Sequence, residues 1–251
     1  MGGGYLISGY SYDQQPLQAT TGLFPKPIQL DALSQGFNVN GRVWLPMVKY
    51  VGAEVQVKSS RYSLDPAPLC AALGRPCADA ALVGDWVTDV RGLVVGRYPF
   101  EAGASQFWIG ARAGYDLSDV HAIQSKQNSV DLTQVPISSL AVGAELGANI
   151  GPKLFFHTDF TEYLAGGTTP FDTTFNVEGG YAFLPNVYFS IAYDLGFRKI
   201  AVLDANNNKI GEVADVSGVL SSTNDQGTPD TSDDTSSKLP VGFTFSLGAQ
   251  F

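Results

Sequence analysis

The sequence predicts an all-β protein: a single transmembrane, up-and-down antiparallel β-barrel of about ten strands, with eight strands as the alternative. The first sign is a series of segments of about ten residues in which apolar and polar side chains alternate. The second is a low charge content, since Asp, Glu, Lys and Arg make up only 16% of the 251 residues, against about 25% in a typical soluble domain. The third is that no apolar run approaches the ~18 residues that a membrane-spanning helix needs.

The clearest hairpin joins predicted strands at 171–183 and 187–199 through the short link 184–186. In the first strand, Phe, Val and Tyr side chains on one face alternate with Asp, Asn and Glu side chains on the other. A period of two indicates a strand whose two faces have different surroundings.

The same alternation predicts eight further strands and brings the total to ten. One of them, 85–98, alternates without showing which face is the apolar one. In chain order these further strands are 4–12, 37–46, 50–62, 85–98, 107–116, 138–148, 153–163 and 239–251.

The connections between the strands alternate in length, which indicates a barrel with two unlike ends. Membrane barrels combine an even strand number with short periplasmic turns and longer extracellular loops. We therefore expect one domain over 1–251, with both termini in the periplasm and the long loops at the cell surface. The short connections are 47–49, 99–105, 150–152 and 184–186. The longest of the predicted external loops are at about 13–35, 64–84, 117–137 and 200–238.

Alternation alone leaves open which face is outside, because a soluble calycin-type barrel carries its apolar residues inside. Glycines on the polar face, such as Gly143 and Gly180, would weaken a water-facing strand but make room in a narrow lumen. The apolar faces of the clearest strands carry no charge, and aromatic side chains such as Tyr181 lie near strand ends, as in an interfacial girdle. These features favour lipid on the apolar side and a polar lumen.

The inward faces then place charges of both signs in the lumen. Strand 85–98 would add Asp89, Arg91 and Arg97 to this set, which gives seven acids and six bases. The predicted lumen network outside that strand is Arg42, Glu54, Lys58, Arg112, Glu145, His157, Asp159, Asp172, Glu178, Asp194 and Arg198.

Such a network is expected to plug the barrel. A ten-stranded barrel is only slightly wider than the eight-stranded kind, whose interior side chains just fill. Trp44, Trp108, Tyr62 and Tyr188 would add bulk on the same faces. A narrow polar channel is the alternative, and the near balance of charges argues against strong ion selectivity in it.

His157 and Asp159 are two positions apart and therefore share the lumen face. A His beside an acid is the raw material for general base catalysis, so a surface hydrolase is a possible function. A structural hydrogen bond is the favoured interpretation, because the pair is predicted near the short-turn end. We therefore predict no enzymatic activity.

Two further motifs lie in the predicted external loops. Cys70 and Cys77 are seven positions apart in a loop that contains Pro and Gly, which predicts a local disulfide in an oxidising compartment. The oxygen-rich segment 224–234 is a weak Ca²⁺ candidate through Asp225, Asp230, Asp233 and Asp234. Its spacing does not match an EF-hand, so a solvated loop is the favoured interpretation, and neither a metal nor a cofactor is predicted.

The last predicted strand carries a recognisable motif. Phe243, Phe245, Leu247, Ala249 and the final Phe251 alternate with small or polar residues. This pattern resembles the C-terminal signature of bacterial outer-membrane proteins, and the chain as a whole resembles the small OmpA/OmpW-like barrels, with two strands more than their eight-stranded members. The resemblance implies a bacterial outer-membrane location among lipid and lipopolysaccharide. It also implies that Phe243, Phe245, Leu247 and Phe251 form the assembly signal that the barrel-assembly machinery reads.

The net charge of −9 argues against nucleic acid as a partner. The function predicted first is a non-enzymatic, plugged outer-membrane anchor whose external loops bind a partner protein or a cell surface. The alternative is a narrow channel or transporter for small solutes, with a surface hydrolase third.

Overall fold

The computed structural model describes residues 2–16, 28–48, 50–64, 82–83, 86–125, 130–164, 172–203, 209–224 and 235–249. Throughout these ranges the regular structure is β. No helix in them is long and apolar enough to cross a membrane. The strands are β1 (Gly2–Pro16), β2 (Ile28–Trp44), β3 (Val51–Leu64), β4 (Leu82–Val83), β5 (Val87–Ala102), β6 (Ser105–Ser125), β7 (Val130–Ile150), β8 (Leu154–Leu164), β9 (Thr173–Leu184), β10 (Val187–Leu203), β11 (Lys209–Ser217), β12 (Val219–Asn224), β13 (Thr235–Pro240) and β14 (Gly242–Ala249).

Ten of these strands form a closed antiparallel wall. Each wall strand pairs with its neighbour along the chain, and the ring closes where β14 pairs with β1, from Gly2 opposite Gly248 to Ser8 opposite Gly242. The order around the ring is β1, β2, β3, β5, β6, β7, β8, β9, β10 and β14. The predicted all-β, up-and-down barrel of ten strands is therefore confirmed.

The tenth wall position is shared by two strands, β14 and β11. On β10, the partner of Tyr193 is Phe243 of β14, whereas the partner of Gly196 is Ser217 of β11. From Tyr193 to Gly196 is three positions on β10, but from Ser217 to Phe243 is 26 positions on its partner. The partner therefore contains 23 residues that do not pair with β10, which is the length of the segment 219–241.

The neighbour on the other side, β1, shows the same offset. Its Ser8 pairs with Gly242 and its Tyr10 with Ser217, so Gly218 alone fills the position between them. Gly218 has a φ of 88°, a conformation that glycine adopts readily. Strands β11 and β14 are therefore two halves of one regular strand, interrupted by an insertion that contains the β12–β13 hairpin.

The two faces of the wall differ sharply in polarity. Apolar side chains point outward and stay exposed, such as Val94 and Ile109 at 59% each. Inward-facing polar groups are buried, such as Arg112 at 4% and Glu145 at 2%. This is the reverse of a water-soluble barrel, because an apolar outer band needs lipid around it. The soluble calycin-type alternative is therefore wrong.

Several predicted loops are shorter than the sequence pattern indicates. The loop predicted at 117–137 is wrong in extent, because β6 continues to Ser125 and β7 begins at Val130. The loop predicted at 13–35 contains the ends of β1 and β2, and 64–84 contains β4. The region 200–238 contains the end of β10, all of β11 and β12, and most of β13. These extensions carry polar residues on both faces, so they lack the period-two hydrophobicity that predicted the wall.

Candidate functional site: the barrel lumen

The barrel encloses a cavity of about 890 Å³ to which all ten wall strands contribute lining residues. It reaches Tyr50 and Asn149 at the end with short turns, here called the short-turn end. At the opposite, long-loop end it reaches Ser60 and Arg198. Whatever passes through the barrel must therefore meet the side chains of this lumen.

The first ion-pair group, the Glu145 layer, contains Arg42, Glu54, Arg97, Arg112, Glu145, His157 and Asp159. The side chain of Glu145 on β7 is fully buried and receives three basic groups. Arg42 on β2 places Nη2 2.9 Å from Glu145 Oε2, and Arg97 on β5 contacts Oε1 through Nε. His157 on β8 lies with Nε2 3.3 Å from Oε2.

The rest of this layer is built around Arg112 on β6. Its Nη2 lies 2.8 Å from Oε1 of Glu54, and its Nη1 lies 2.6 Å from Oδ1 of Asp159. Glu54 also contacts Arg42, which joins the two halves of the layer. Buried charges of both signs are thus paired, as burial of charge requires.

The second group, the Arg198 layer, contains Asp89, Arg91, Asp116, Asp172 and Arg198 and lies toward the long-loop end. Arg198 on β10 lies 3.3 Å from Asp116, 3.4 Å from Asp172 and 3.8 Å from Asp89. Arg91 lies 3.2 Å from Asp116. Since β10 and β5 are five places apart in the ring of ten, the pair Arg198–Asp89 crosses the full width of the lumen.

The ring of Tyr163 packs against the two arginines of this layer. It lies 5.0 Å from the guanidinium carbon of Arg91 and 5.3 Å from that of Arg198. Its hydroxyl is 3.1 Å from the hydroxyl of Thr174. The ring also packs with Leu93 and Val95 in a small buried apolar cluster, so both arginines lie on an apolar surface that orients them.

On β14 and β1, every described residue that lines the cavity is uncharged. Next to them, Asp194 of β10 accepts hydrogen bonds from Asn176 Nδ2 at 2.7 Å and Thr244 Oγ1 at 3.0 Å. Ser34 and Asn38 line the cavity beside these groups. The lumen is therefore asymmetric, because the wall at β14 and β1 is neutral and the ion pairs join the other strands.

All eleven residues of the predicted lumen network face the interior. The Glu145 layer takes Arg42, Glu54, Arg112, Glu145, His157 and Asp159, and the Arg198 layer takes Asp172 and Arg198. Glu178 lies at the edge, 3.9 Å from Nδ1 of His157. Lys58 lines the cavity without an ion pair to any described residue, and Asp194 stands with its neutral partners. The open question of strand 85–98 is resolved, since Asp89, Arg91 and Arg97 all point inward.

Sequence reasoning missed two residues of the site, Asp116 and Tyr163. Asp116 is 1% exposed and belongs to the Arg198 layer, and Tyr163 is 2% exposed and packs against the two arginines of that layer. Each is the last residue of its predicted strand, 107–116 or 153–163, next to a predicted loop. The sequence feature that could have identified them is their position on the polar face of these strands, which in the structure continues beyond the predicted strand ends.

Other predicted residues lie elsewhere or outside the described chain. Phe243, Phe245 and Leu247 point outward on β14, at 39%, 40% and 59% exposure. Cys70, Cys77, Phe251, the side chain of Tyr62 and the calcium candidates Asp225, Asp230, Asp233 and Asp234 lie outside the described residues.

His157 is surrounded by carboxylates rather than by a nucleophile. Besides Glu145 and Glu178, Asp159 Oδ2 lies 4.0 Å from its Nδ1. Within the described side chains, no hydroxyl or thiol group is hydrogen-bonded to this ring. The arrangement suits a structural role in which His157 lies between acidic groups. Among the same residues no group of three or more His, Cys, Asp and Glu side chains could hold a metal ion.

A closed, even-stranded antiparallel barrel with an apolar outside and a charged inside defines an integral membrane protein of the bacterial outer-membrane type. No family model and no curated protein matches the chain.

Three solved structures are similar to it at low identity. Neisserial surface protein A (NspA) has 10% identity and a TM-score of 0.29, covering 99% of this chain and 97% of that one. The outer membrane protease OmpT from Escherichia coli has 9% identity and a TM-score of 0.42, covering 100% and 96%. A Pseudomonas aeruginosa FadL homologue has 14% identity and a TM-score of 0.30, covering 98% and 63%. At these scores they carry no argument about the role of this chain.

Proposed function

We propose that this chain is an outer-membrane anchor. Its lumen is closed to solutes by ion pairs, and its extracellular loops, among them the insertion 219–241, bind a partner. In this proposal the short turns and the termini face the periplasm and the long loops face outward. The partner is a protein or a neighbouring cell surface. The observation that carries the proposal is that two separate layers of charged side chains cross the lumen.

The crossing is supported by contacts between distant strands. In the Glu145 layer, Arg42 on β2 reaches Glu145 on β7, on the far side of the ring. In the Arg198 layer, Arg198 on β10 reaches Asp89 on β5, directly opposite. In this proposal a solute meets buried charge pairs in both layers, and leaving one member of such a pair uncompensated costs about 3–5 kcal/mol.

The insertion at 219–241 supports the binding half of the proposal. The register of β1 and β10 is continuous across it, so the wall does not need it for closure. Its sequence is acidic, with four Asp against Lys238 as its one basic residue. A segment that closure of the wall does not need fits a role in contact with a partner, and its charge favours a partner with a basic surface.

A narrow channel for small polar solutes is the second candidate. The observation that favours it is the 890 Å³ cavity, which reaches both ends of the barrel beside the neutral wall. We propose no catalytic step, because His157 contacts carboxylates and no hydroxyl or thiol group among the described side chains.

Ion conductance of the detergent-refolded protein in planar lipid bilayers tests the proposal. The unmodified barrel is expected to be silent. A quadruple variant, Arg42→Ser, Arg97→Ser, Glu145→Ser and Arg198→Ser, removes the contacts that cross both layers and is expected to conduct. The matched control is Lys58→Ser, which removes a lumen charge that forms no ion pair with a described residue, and it is expected to stay silent.

Steady, reproducible openings of the unmodified protein, absent from blank detergent preparations, would overturn the anchor in favour of the channel. A silent quadruple variant that is folded would show that the two layers are not what closes the lumen.

A further inference from the structure

Four aromatic side chains line the lumen just below the Glu145 layer, on the side of the short-turn end. Each is directly opposite a glycine of the neighbouring strand and lies flat over it, so that a Cβ added to the glycine would overlap the ring. The four pairs, which we call the aromatic collar, are Trp44 with Gly52, Trp108 with Gly147, Phe155 with Gly180 and Tyr188 with Gly248.

The collar leaves open space inside it. All four rings line the cavity, and Trp44 is 36% exposed. Phe155 and Tyr188 meet edge to face, with ring centroids 5.1 Å apart at 87°. Rings that filled the barrel would leave no cavity between them, whereas rings that lie against the wall present their faces to whatever enters.

Arg97 bounds this space on the side of the Glu145 layer. Its guanidinium carbon lies 5.0 Å from the centre of the Trp44 ring and 4.6 Å from that of Trp108, and its Nε contacts Glu145. The charge of Arg97 is therefore already engaged by a carboxylate and two indole rings. A charged ligand would find no free partner in the collar.

The rim toward the short-turn end carries neutral amides. Gln106 and Asn149 are exposed, lie directly opposite each other on β6 and β7, and line the cavity together with Asn40. In addition, Nε1 of Trp108 is buried without a hydrogen-bond partner. A buried donor without a partner is costly, so a ligand oxygen that reached Nε1 after a turn of the indole ring would relieve that cost.

We propose that the collar and its amide rim form a binding site for a neutral saccharide, entered from the short-turn end. A pyranose ring has apolar C–H faces that pack on aromatic rings and hydroxyls that pair with amide groups. Pockets that join aromatic walls with a few well-placed polar groups are typical ligand sites. The site lies on the short-turn side of the Glu145 layer, so it does not depend on whether the lumen conducts.

Fluorescence titration of the refolded full chain tests this proposal. Trp86→Phe provides the background, because Trp86 lies outside the collar against Phe37 and the remaining tryptophans are then Trp44 and Trp108. The detergent must be free of sugar, such as a zwitterionic amine oxide, and the probes are maltotriose, cellotriose and the trimer of N-acetylglucosamine. We expect a saturable change with at least one trisaccharide, with a Kd of about 1 mM or tighter, and none with glycerol at equal hydroxyl concentration.

Tyr188→Ala keeps both reporter tryptophans and removes one wall of the collar, so it is expected to weaken binding about tenfold or more. Its matched control is Tyr98→Ala, an outward residue at 68% exposure, which is expected to bind normally. The double variant Gln106→Ala, Asn149→Ala changes only exposed rim residues and serves if Tyr188→Ala does not fold. The absence of a saturable change with all three trisaccharides overturns the proposal, as does unchanged affinity in both the folded collar and rim variants.

Discussion

At the scale of single residues, Glu145 is the carboxylate with the most ionic partners among the described residues. Its buried carboxylate serves Arg42, Arg97 and His157, which come from three other strands. Removing one member of a buried charge group leaves the remaining charges without compensation. The stability of the barrel should therefore depend strongly on this one side chain.

We predict that Glu145→Gln lowers the free energy of unfolding by about 3–5 kcal/mol, because Arg42 and Arg97 lose their shared negative partner. Urea unfolding in lipid vesicles measures this change. The control is Glu178→Gln, whose ionic contact is His157 at 3.9 Å and whose effect should stay below about 1 kcal/mol. Equal losses in the two variants would show that Glu145 has no special place in the network.

At the scale of strands, the sequence identified the elements that have lipid on one side and lumen on the other. Residues 107–116 alternate because each face has a different solvent, and β6 contains them. Its continuation to Ser125 mixes polar and apolar residues on both faces and gave no signal. Asp116, the last residue of the predicted strand, was therefore not counted among the lumen charges, although its side chain is buried in the Arg198 layer.

The sequence did not predict that β11 and β14 together form one composite strand. The insertion at 219–241 separates its halves, and their continuity is visible only through their shared partners β1 and β10. The charged residues of the lumen were predictable because side chains along each strand alternate between the inward and the outward face. Their division into two layers was not, because it depends on which strands lie opposite each other in the closed ring.

We predict that a chain without 219–241 still forms the barrel. A Cβ built on Gly242 would lie 2.7 Å from the Cα of Gly218, so the two residues lie about one peptide unit apart, ~3.8 Å. The gel mobility of unheated against heated samples measures barrel formation. Removing 219–240 is the matched control, since it leaves one extra residue and reverses the facing of β14. The longer deletion should fold and the shorter one should not; equal behaviour of the two would refute the continuous register.

At the scale of the whole molecule, the fold is defined by an inversion: the ion pairs are inside and the large apolar side chains outside. The outer band includes Leu146 on β7 and Leu154 on β8, at 51% and 50% exposure. Similar exposure does not mean similar depth. Leu154 begins β8 next to a short turn, whereas Leu146 lies four residues inside the end of β7 at Ile150.

A comparison of these two positions therefore distinguishes the effect of depth in the membrane from the effect of exposure alone. A cation at the middle of a bilayer costs about 2–4 kcal/mol on a barrel surface, but only about 0–1 near the interface. We predict that Leu146→Arg lowers the unfolding free energy in lipid vesicles by about 2–4 kcal/mol, and Leu154→Arg by about 0–1. In detergent micelles the gap between the two variants should narrow, because the thin micelle boundary lets the long Arg side chain reach water from either position. If both variants unfold alike in vesicles, the outer face does not span a bilayer in the position that its apolar band indicates.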